Sequence, residues 1–125
     1  MLASNLERDD LRGFRRQLST RAADLKRRMA TEQRAADFAG EVHDTKDQAS
    51  AEAMDDVRLA DLQRDKTELA DIELALVRID VGTYGMCGDC GRPIGRKRLD
   101  AYPTAKRCHA CQETYEQRAQ RRSDD

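Results

Sequence analysis

The chain has 125 residues, of which 38% are charged and only 4% aromatic, with no tryptophan and a formal net charge of -1. A chain this short and polar buries little apolar surface, so it needs a source of stability other than a large hydrophobic core. It contains no run of about 18 apolar residues, which excludes a membrane-spanning helix. The first residues pass into the charged run at 7–10 without an apolar leader, so we expect a cytoplasmic protein.

The first predicted element is a long helix from about residue 5 to residue 39, which has no proline and one interior glycine, Gly13. Its apolar residues recur at steps of three and four, which places them on one helix face. This apolar stripe consists of Leu11, Phe14, Leu18, Ala22, Leu25 and Met29. Because the rest of the helix is polar, we expect it to pair with a single partner helix.

The second predicted helix runs from about residue 48 to residue 81 and lacks both proline and glycine. Its apolar stripe consists of Met54, Leu62, Leu69, Ile72, Leu76 and Ile79. Asp65 and Lys66 interrupt this stripe between Leu62 and Leu69, which makes the interruption a weak point.

The segment between the helices predicts a turn. Gly40 is suited to the left-handed position that ends a helix, and Thr45, Asp44 and Asp47 are suitable N-caps for the second helix. We therefore predict a mainly α protein with a long antiparallel coiled-coil hairpin over residues 1–81. At about 1.5 Å per residue the hairpin is roughly 50 Å long, with its tip at about 40–49.

Glycine and proline become frequent after residue 81, so residues 82–125 are predicted to form a second, turn-rich domain. It holds two Cys-x2-Cys turns, called knuckles here, with seventeen residues between their inner cysteines. The four cysteines are Cys87, Cys90, Cys108 and Cys111. This spacing is typical of one structural zinc ion held by four thiolates, and binding such an ion contributes about 10 kcal/mol or more to folding. A short helix is expected from Cys111 to about Arg122.

Two other uses of the cysteines are weaker interpretations. A redox Cys-x2-Cys usually follows a strand and opens a helix, but no strand-like run precedes Cys87. Disulfides belong to oxidising compartments, for which the sequence carries no signal. His109 lies between two cysteines, yet four thiolates already complete the shell, so we expect its side chain to be solvated.

Charge is unevenly distributed. Residues 37–56 contain seven acids against one base, and residues 92–107 contain six bases against one acid. The tip is therefore negative, and the cysteine-containing second domain, called the finger here, carries a positive segment. A charge run alone usually marks a solvated face, so it does not define a function.

The finger closely resembles the DksA/TraR zinc-finger family over about 30 residues. The matching positions run from Tyr84 to Gly91, continue with Ile94, Arg98, Leu99, Ala101, Pro103 and Ala105, and end with Cys108 to Gln112. Upstream, the run Asp44-Thr45-Lys46-Asp47-Gln48-Ala49 is similar to the D-x-x-D-x-A motif at the coiled-coil tip of DksA proteins.

The resemblance implies a transcription regulator that binds bacterial RNA polymerase and has no DNA recognition of its own. The coiled coil is expected to enter the secondary channel, with Asp44, Asp47 and Ala49 near the active site. The alternative for the two acids is helix capping, worth about 1 kcal/mol at one position. For Ala49 the alternative is an ordinary helix-forming residue.

Further partner expectations follow from the same resemblance. Arg96, Lys97 and Arg98 are candidates for docking on an acidic polymerase surface, with simple solubility as the alternative. Family members that build a ppGpp site with polymerase carry basic residues where this chain has Asp71, Tyr102 and Gln112. Phosphates need cationic partners, so we expect weak or absent ppGpp synergy. The protein is expected to act as a monomer.

Two other classes of function fit the sequence less well. The basic run 96–98 suits a zinc-ribbon nucleic-acid-binding module, but it offers few phosphate contacts and the acidic tip would be repelled. An enzyme is disfavoured because His43 and His109 allow no nucleophile with a base and an orienting partner, and a four-thiolate zinc has no open coordination position.

Overall fold

The computed structural model describes residues 6–41 and 48–124, with side chains described over 6–38 and 56–122. Four α-helices are present in this part of the chain: α1 (Arg8–Glu41), α2 (Gln48–Val81), α3 (Arg96–Ala101) and α4 (His109–Asp124). Within these ranges the extended structure consists of one isolated antiparallel bridge, Met86 to Pro93. No helix in the described part is long and apolar enough to cross a membrane.

The predicted mainly α fold with a cysteine finger is confirmed, and both long helices lie close to their predicted bounds. Helix α4 begins at His109, two residues earlier than expected, so Cys111 lies in its first turn. Helix α3 was not predicted. By contacts the chain divides into a finger unit (Met1–Leu18 and Leu74–Asp125) and a helical unit (Ser19–Glu73). The proposed domain boundary between residues 81 and 82 stays a prediction.

The helical unit is the antiparallel pairing of α1 with α2. Ala22, Leu25 and Ile72 are buried, as the apolar stripes predict. Arg21 donates from Nη2 to Glu68 Oε1 at 2.9 Å, and Arg28 Nη2 lies 3.5 Å from Asp65 Oδ2. Later residues of α1 thus meet earlier residues of α2, as an antiparallel pair requires.

Asp65, which interrupts the apolar stripe of α2, forms an ion pair with a residue of α1. The Asp65 side chain is only 13% exposed, and it faces the half-exposed Arg28 guanidinium. A carboxylate at a mostly buried position loses water contacts, so the ion pair offsets a cost rather than adding a large net stability. The predicted weak point is therefore an ion pair between the helices.

The finger unit has its own small core, to which the ends of both long helices and the finger contribute. The buried apolar residues are Leu6, Phe14, Leu18, Ala75, Ile79, Tyr84, Cys87, Ile94, Leu99 and Ala105. An ion pair from Arg15 to Asp80 joins α1 and α2 within this unit. The cysteine finger therefore packs on helical residues that precede it.

Candidate metal centre

The first knuckle follows directly from the end of α2. Gly82 adopts a left-handed backbone with φ of 83°, and Thr83 N donates to Arg78 O at 2.9 Å, which ends the helix. Cys87 N then donates to Arg92 O at 2.8 Å, and Gly91 N donates to Cys87 O at 3.0 Å. These bonds fold residues 87–92 into a tight turn that carries Cys87 and Cys90 on one side.

The second knuckle lies between α3 and α4. Gly88 N donates to Lys106 O at 2.9 Å, so the chain entering this knuckle lies directly against the first. Gln112 N donates to Cys108 O at 2.9 Å as α4 begins. Cys108 and Cys111 are therefore fixed by the start of α4, a rigid element, and the helix brings both sulfurs to the same side.

The four cysteines meet at one point. Their sulfur atoms all lie within 4.8 Å of one another, and Cys90 Sγ lies 3.9 Å from Cys108 Sγ. Tetrahedral zinc with Zn–S bonds of about 2.3 Å requires sulfurs roughly 3.8 Å apart. A disulfide needs about 2.05 Å, so these free cysteines fit a metal and not a disulfide.

The surroundings of the sulfurs shift the pKa values of two of the thiols in opposite directions. Burial opposes ionisation of Cys87, but hydrogen bonds from the backbone N–H groups of Cys90, Cys108 and Asp89 prevail and lower the pKa of the Cys87 thiol to about 6. The pKa of the Cys111 thiol is raised to about 12, chiefly by side-chain hydrogen bonding with Cys108 and Cys87. A cation bound between the four sulfurs would favour the thiolate form of all of them.

His109 takes no part in the cluster. Its side chain is 78% exposed, and Nε2 lies 2.9 Å from Glu113 Oε1 one turn later in α4. The expected solvent-exposed position is confirmed, and the ligand set stays at four sulfurs.

Two arginines bind backbone carbonyls of the knuckles, a role that the sequence interpretation missed. Arg78 in the last turn of α2 donates to the carbonyls of Thr83 and Met86, just before Cys87. Arg98 in α3 donates from Nε to Arg107 O at 3.0 Å, just before Cys108. The available signal was Arg78 in the last helical turn, where arginine commonly binds free carbonyls.

An aromatic contact joins the finger to α1 within the finger unit. The rings of Phe14 and Tyr84 lie 5.4 Å apart, and Tyr84 Oη donates to Pro103 O at 2.8 Å. The Arg96 guanidinium lies 5.7 Å from the centre of the Phe14 ring and forms an ion pair with Asp10. Arg96 therefore helps to attach α3 to the start of α1.

The three candidate docking bases differ in their surroundings. Arg96 is engaged by Asp10 and Phe14, while Arg98 binds Arg107 O and lies 5.9 Å from the centre of the Tyr102 ring. Lys97 is exposed. Of the three, Lys97 is the base that these contacts leave available to another molecule.

The predicted tip residues cannot be placed in the same way. Asp44 and Asp47 lie outside the described residues, and Ala49 lies in the first turn of α2 without a described side chain. Among the positions considered for ppGpp, Asp71 is half-buried, Tyr102 is 49% exposed, and Gln112 donates to Glu116.

The fold and site together define a class: a helical hairpin protein with a four-cysteine structural zinc finger. Comparison with known families gives the same class, since residues 82–117 match the prokaryotic dksA/traR C4-type zinc finger. The solved structure of transcription factor DksA2 from Pseudomonas aeruginosa is 32% identical, covers 94% of this chain and 92% of that chain, and superposes with a TM-score of 0.84. The chain therefore belongs to the DksA/TraR family, and its four cysteines form the site of one structural zinc.

Curated relatives match over a shorter part of their length. The RNA polymerase-binding transcription factor DksA of Caulobacter vibrioides is 38% identical over 82 residues, which cover 66% of this chain and 58% of that protein. The protein of the same name from Escherichia coli K12 is 33% identical over 75 residues, covering 60% and 50%. The chain thus spans between half and three fifths of the length of these relatives.

Proposed function

We propose that this protein is a transcription regulator that binds bacterial RNA polymerase. The observation that carries the proposal is the similarity to DksA2 over nearly the whole of both chains, with matching fold and 32% identity. Two relatives described above bear the name RNA polymerase-binding transcription factor, which supports the same partner. Regulation then proceeds through polymerase and without sequence-specific DNA recognition.

The proposed working part is the coiled-coil tip, inserted through the secondary channel of polymerase towards its active site. Two antiparallel helices of 34 residues each, α1 and α2, are joined by six residues that include Asp44 and Asp47. Short acidic side chains suit an approach to a magnesium-bearing or basic site, because oxygen is the ligand that Mg²⁺ prefers. Ala49 completes the motif with a side chain small enough for close contact.

The proposed outcome is a change in the stability of promoter complexes. The protein needs to break no bond for this, since its contacts alone alter the free-energy difference between complexes. A four-thiolate zinc supplies structure and leaves no open position for catalysis. The zinc is proposed to stabilise the finger, which packs against the start of α1 and the end of α2.

Asp47→Asn separates a polymerase contact from helix capping. Asp47 directly precedes α2 in the sequence, and asparagine caps helices as well as aspartate does but carries no charge. A matched control is Asp56→Asn, which makes the same charge change at an exposed position of α2 outside the motif. Capping alone therefore predicts active variants at both positions, whereas the tip mechanism predicts a defect at Asp47 alone.

The assay is transcription from a ribosomal RNA promoter with purified polymerase, together with a direct polymerase-binding measurement. We expect wild type and Asp56→Asn to inhibit, and Asp47→Asn to bind polymerase but not to inhibit. Full inhibition by Asp47→Asn would contradict the tip mechanism. Absence of polymerase binding by the wild-type protein would overturn the proposed function itself.

The same transcription assay tests the expected weak response to ppGpp. Adding ppGpp is expected to increase inhibition less than it does with a DksA protein that carries basic residues at the positions of Asp71, Tyr102 and Gln112. Equal responses would refute this expectation.

Arg96, Lys97 and Arg98 remain the proposed docking bases. Salt-sensitive binding of the isolated protein to duplex DNA would instead favour a nucleic-acid-binding module.

A further inference from the structure

An ion pair joins the two cysteine knuckles beside the metal centre. Asp89 lies between the two cysteines of the first knuckle, and Arg107 directly precedes Cys108 in the second. Arg107 Nε donates to Asp89 Oδ2 at 3.0 Å. The side chains therefore connect the same two segments that zinc connects, next to the backbone bond from Gly88 N to Lys106 O.

Arg107 is held on several sides. Its side chain is 23% exposed, against 49% for Asp89, and its guanidinium lies 3.9 Å from the centre of the Tyr115 ring in α4. Its carbonyl accepts the hydrogen bond from Arg98 Nε. The Tyr115 ring orders the guanidinium, and the bond from Arg98 holds the Arg107 backbone. Less side-chain entropy is therefore lost when Arg107 binds Asp89 than in a fully exposed pair.

We propose that Asp89 and Arg107 are positioning residues for the zinc site and slow the release of the metal. Zinc held by these four cysteines would be lost by detachment of successive sulfurs, and a detached thiolate would bind again more readily while its knuckle stays close. A second connection between the knuckles raises the effective concentration of the detached thiolate.

The test is the rate of zinc release from the full-length, zinc-loaded protein into an excess of a colorimetric chelator. Exposed ion pairs contribute free energies that correspond to changes of up to about five-fold, and the ordered Arg107 places this pair near the upper end. We expect Asp89→Asn and Arg107→Gln each to release zinc about three-fold faster. The double variant is expected to be no faster than Arg107→Gln, because both changes remove one contact.

A simple charge effect predicts a different pattern. Asp89 and Arg107 carry opposite charges, so if each acted on the metal independently, neutralising them would shift the release rate in opposite directions. The proposed pair requires shifts in the same direction. Opposite shifts, additive shifts in the double variant, or unchanged rates would each overturn the proposal.

Two controls separate the pair from general damage to the finger. Arg92→Gln makes the same charge change at an exposed arginine of the finger and is expected to leave the rate unchanged. Tyr115→Leu removes the ring beside Arg107 but keeps the ion pair, so its effect should be smaller than that of Arg107→Gln. Unchanged far-ultraviolet circular dichroism of the zinc-loaded variants shows that release is compared between folded proteins.

Discussion

Tyr84→Phe tests whether a single hydroxyl helps to hold the finger. Tyr84 is 3% exposed, and its Oη donates to Pro103 O at 2.8 Å while its ring contacts Phe14. The substitution removes only the oxygen and keeps the aromatic contact. It therefore isolates the hydrogen bond between Tyr84, which lies just before the first knuckle, and Pro103, which follows α3.

The expected loss of stability is modest but measurable. A typical intramolecular hydrogen bond contributes about 0.5–1.5 kcal/mol net, and a buried carbonyl left without a donor costs about 1–3 kcal/mol. Pro103 is only half-buried, so water can replace part of the lost bond, and we expect about 1 kcal/mol. For a chain of this length that lowers Tm by roughly 3–4 °C.

The pH dependence gives a second signature. Burial raises the pKa of Tyr84 well above the ordinary tyrosine value of 10.0, while the nearby Arg78 guanidinium opposes the shift. Above the ordinary tyrosine pKa of 10.0, the unfolded chain loses the Tyr84 proton while the folded protein still keeps it. Wild-type stability therefore falls as the pH rises. The phenylalanine variant lacks this contribution, and its deficit should shrink between about pH 9 and pH 11.

The measurement is thermal unfolding of zinc-loaded protein by circular dichroism across this pH range. Tyr115→Phe is the matched control, because Tyr115 is 49% exposed and, within the described part of the chain, its hydroxyl forms no hydrogen bond. An unchanged Tm for Tyr84→Phe near pH 7 would refute the role of the hydrogen bond. A deficit that stays constant to pH 11 would refute the effect of burial on the pKa.

Two further predictions concern the helical unit and the metal. Asp65→Leu continues the apolar stripe of α2 and leaves only the half-exposed Arg28 to be solvated. We therefore expect a gain of about 1 kcal/mol in unfolding free energy by denaturant titration. Any loss of stability would contradict this, and Asp65→Asn serves as the control for charge alone. Cys90→Ser removes one of four thiolates and should weaken zinc binding at least about 100-fold in chelator competition; wild-type affinity would exclude Cys90 as a ligand.

Periodicity and spacing predicted most of the fold because each is a local property. The apolar stripe of α1 is visible in the sequence every three or four residues, and Ala22 and Leu25 are indeed buried. The knuckle spacing similarly predicted the cysteine cluster, since a Cys-x2-Cys turn presents two sulfurs without help from the rest of the chain. Features that depend on local geometry could therefore be predicted from the sequence.

Helix α3 was missed because its stability is not local. It has six residues, and an isolated helix of this length does not form in water. Its one buried residue is Leu99, which needs the core of the finger unit around it. Leu99 is the one large apolar residue of α3, so the sequence shows no hydrophobic periodicity there.

The basic run at the finger illustrates how tertiary contacts decide what a charged residue does. The sequence groups Arg96, Lys97 and Arg98 as equivalent docking candidates, yet Arg96 binds Asp10 and Arg98 binds Arg107 O. Substituting all three at once would weaken the finger as well as any docking surface, so lost polymerase binding would be ambiguous. Lys97 is exposed and free of these contacts, so Lys97→Glu is the variant in which a change in binding reports docking rather than folding.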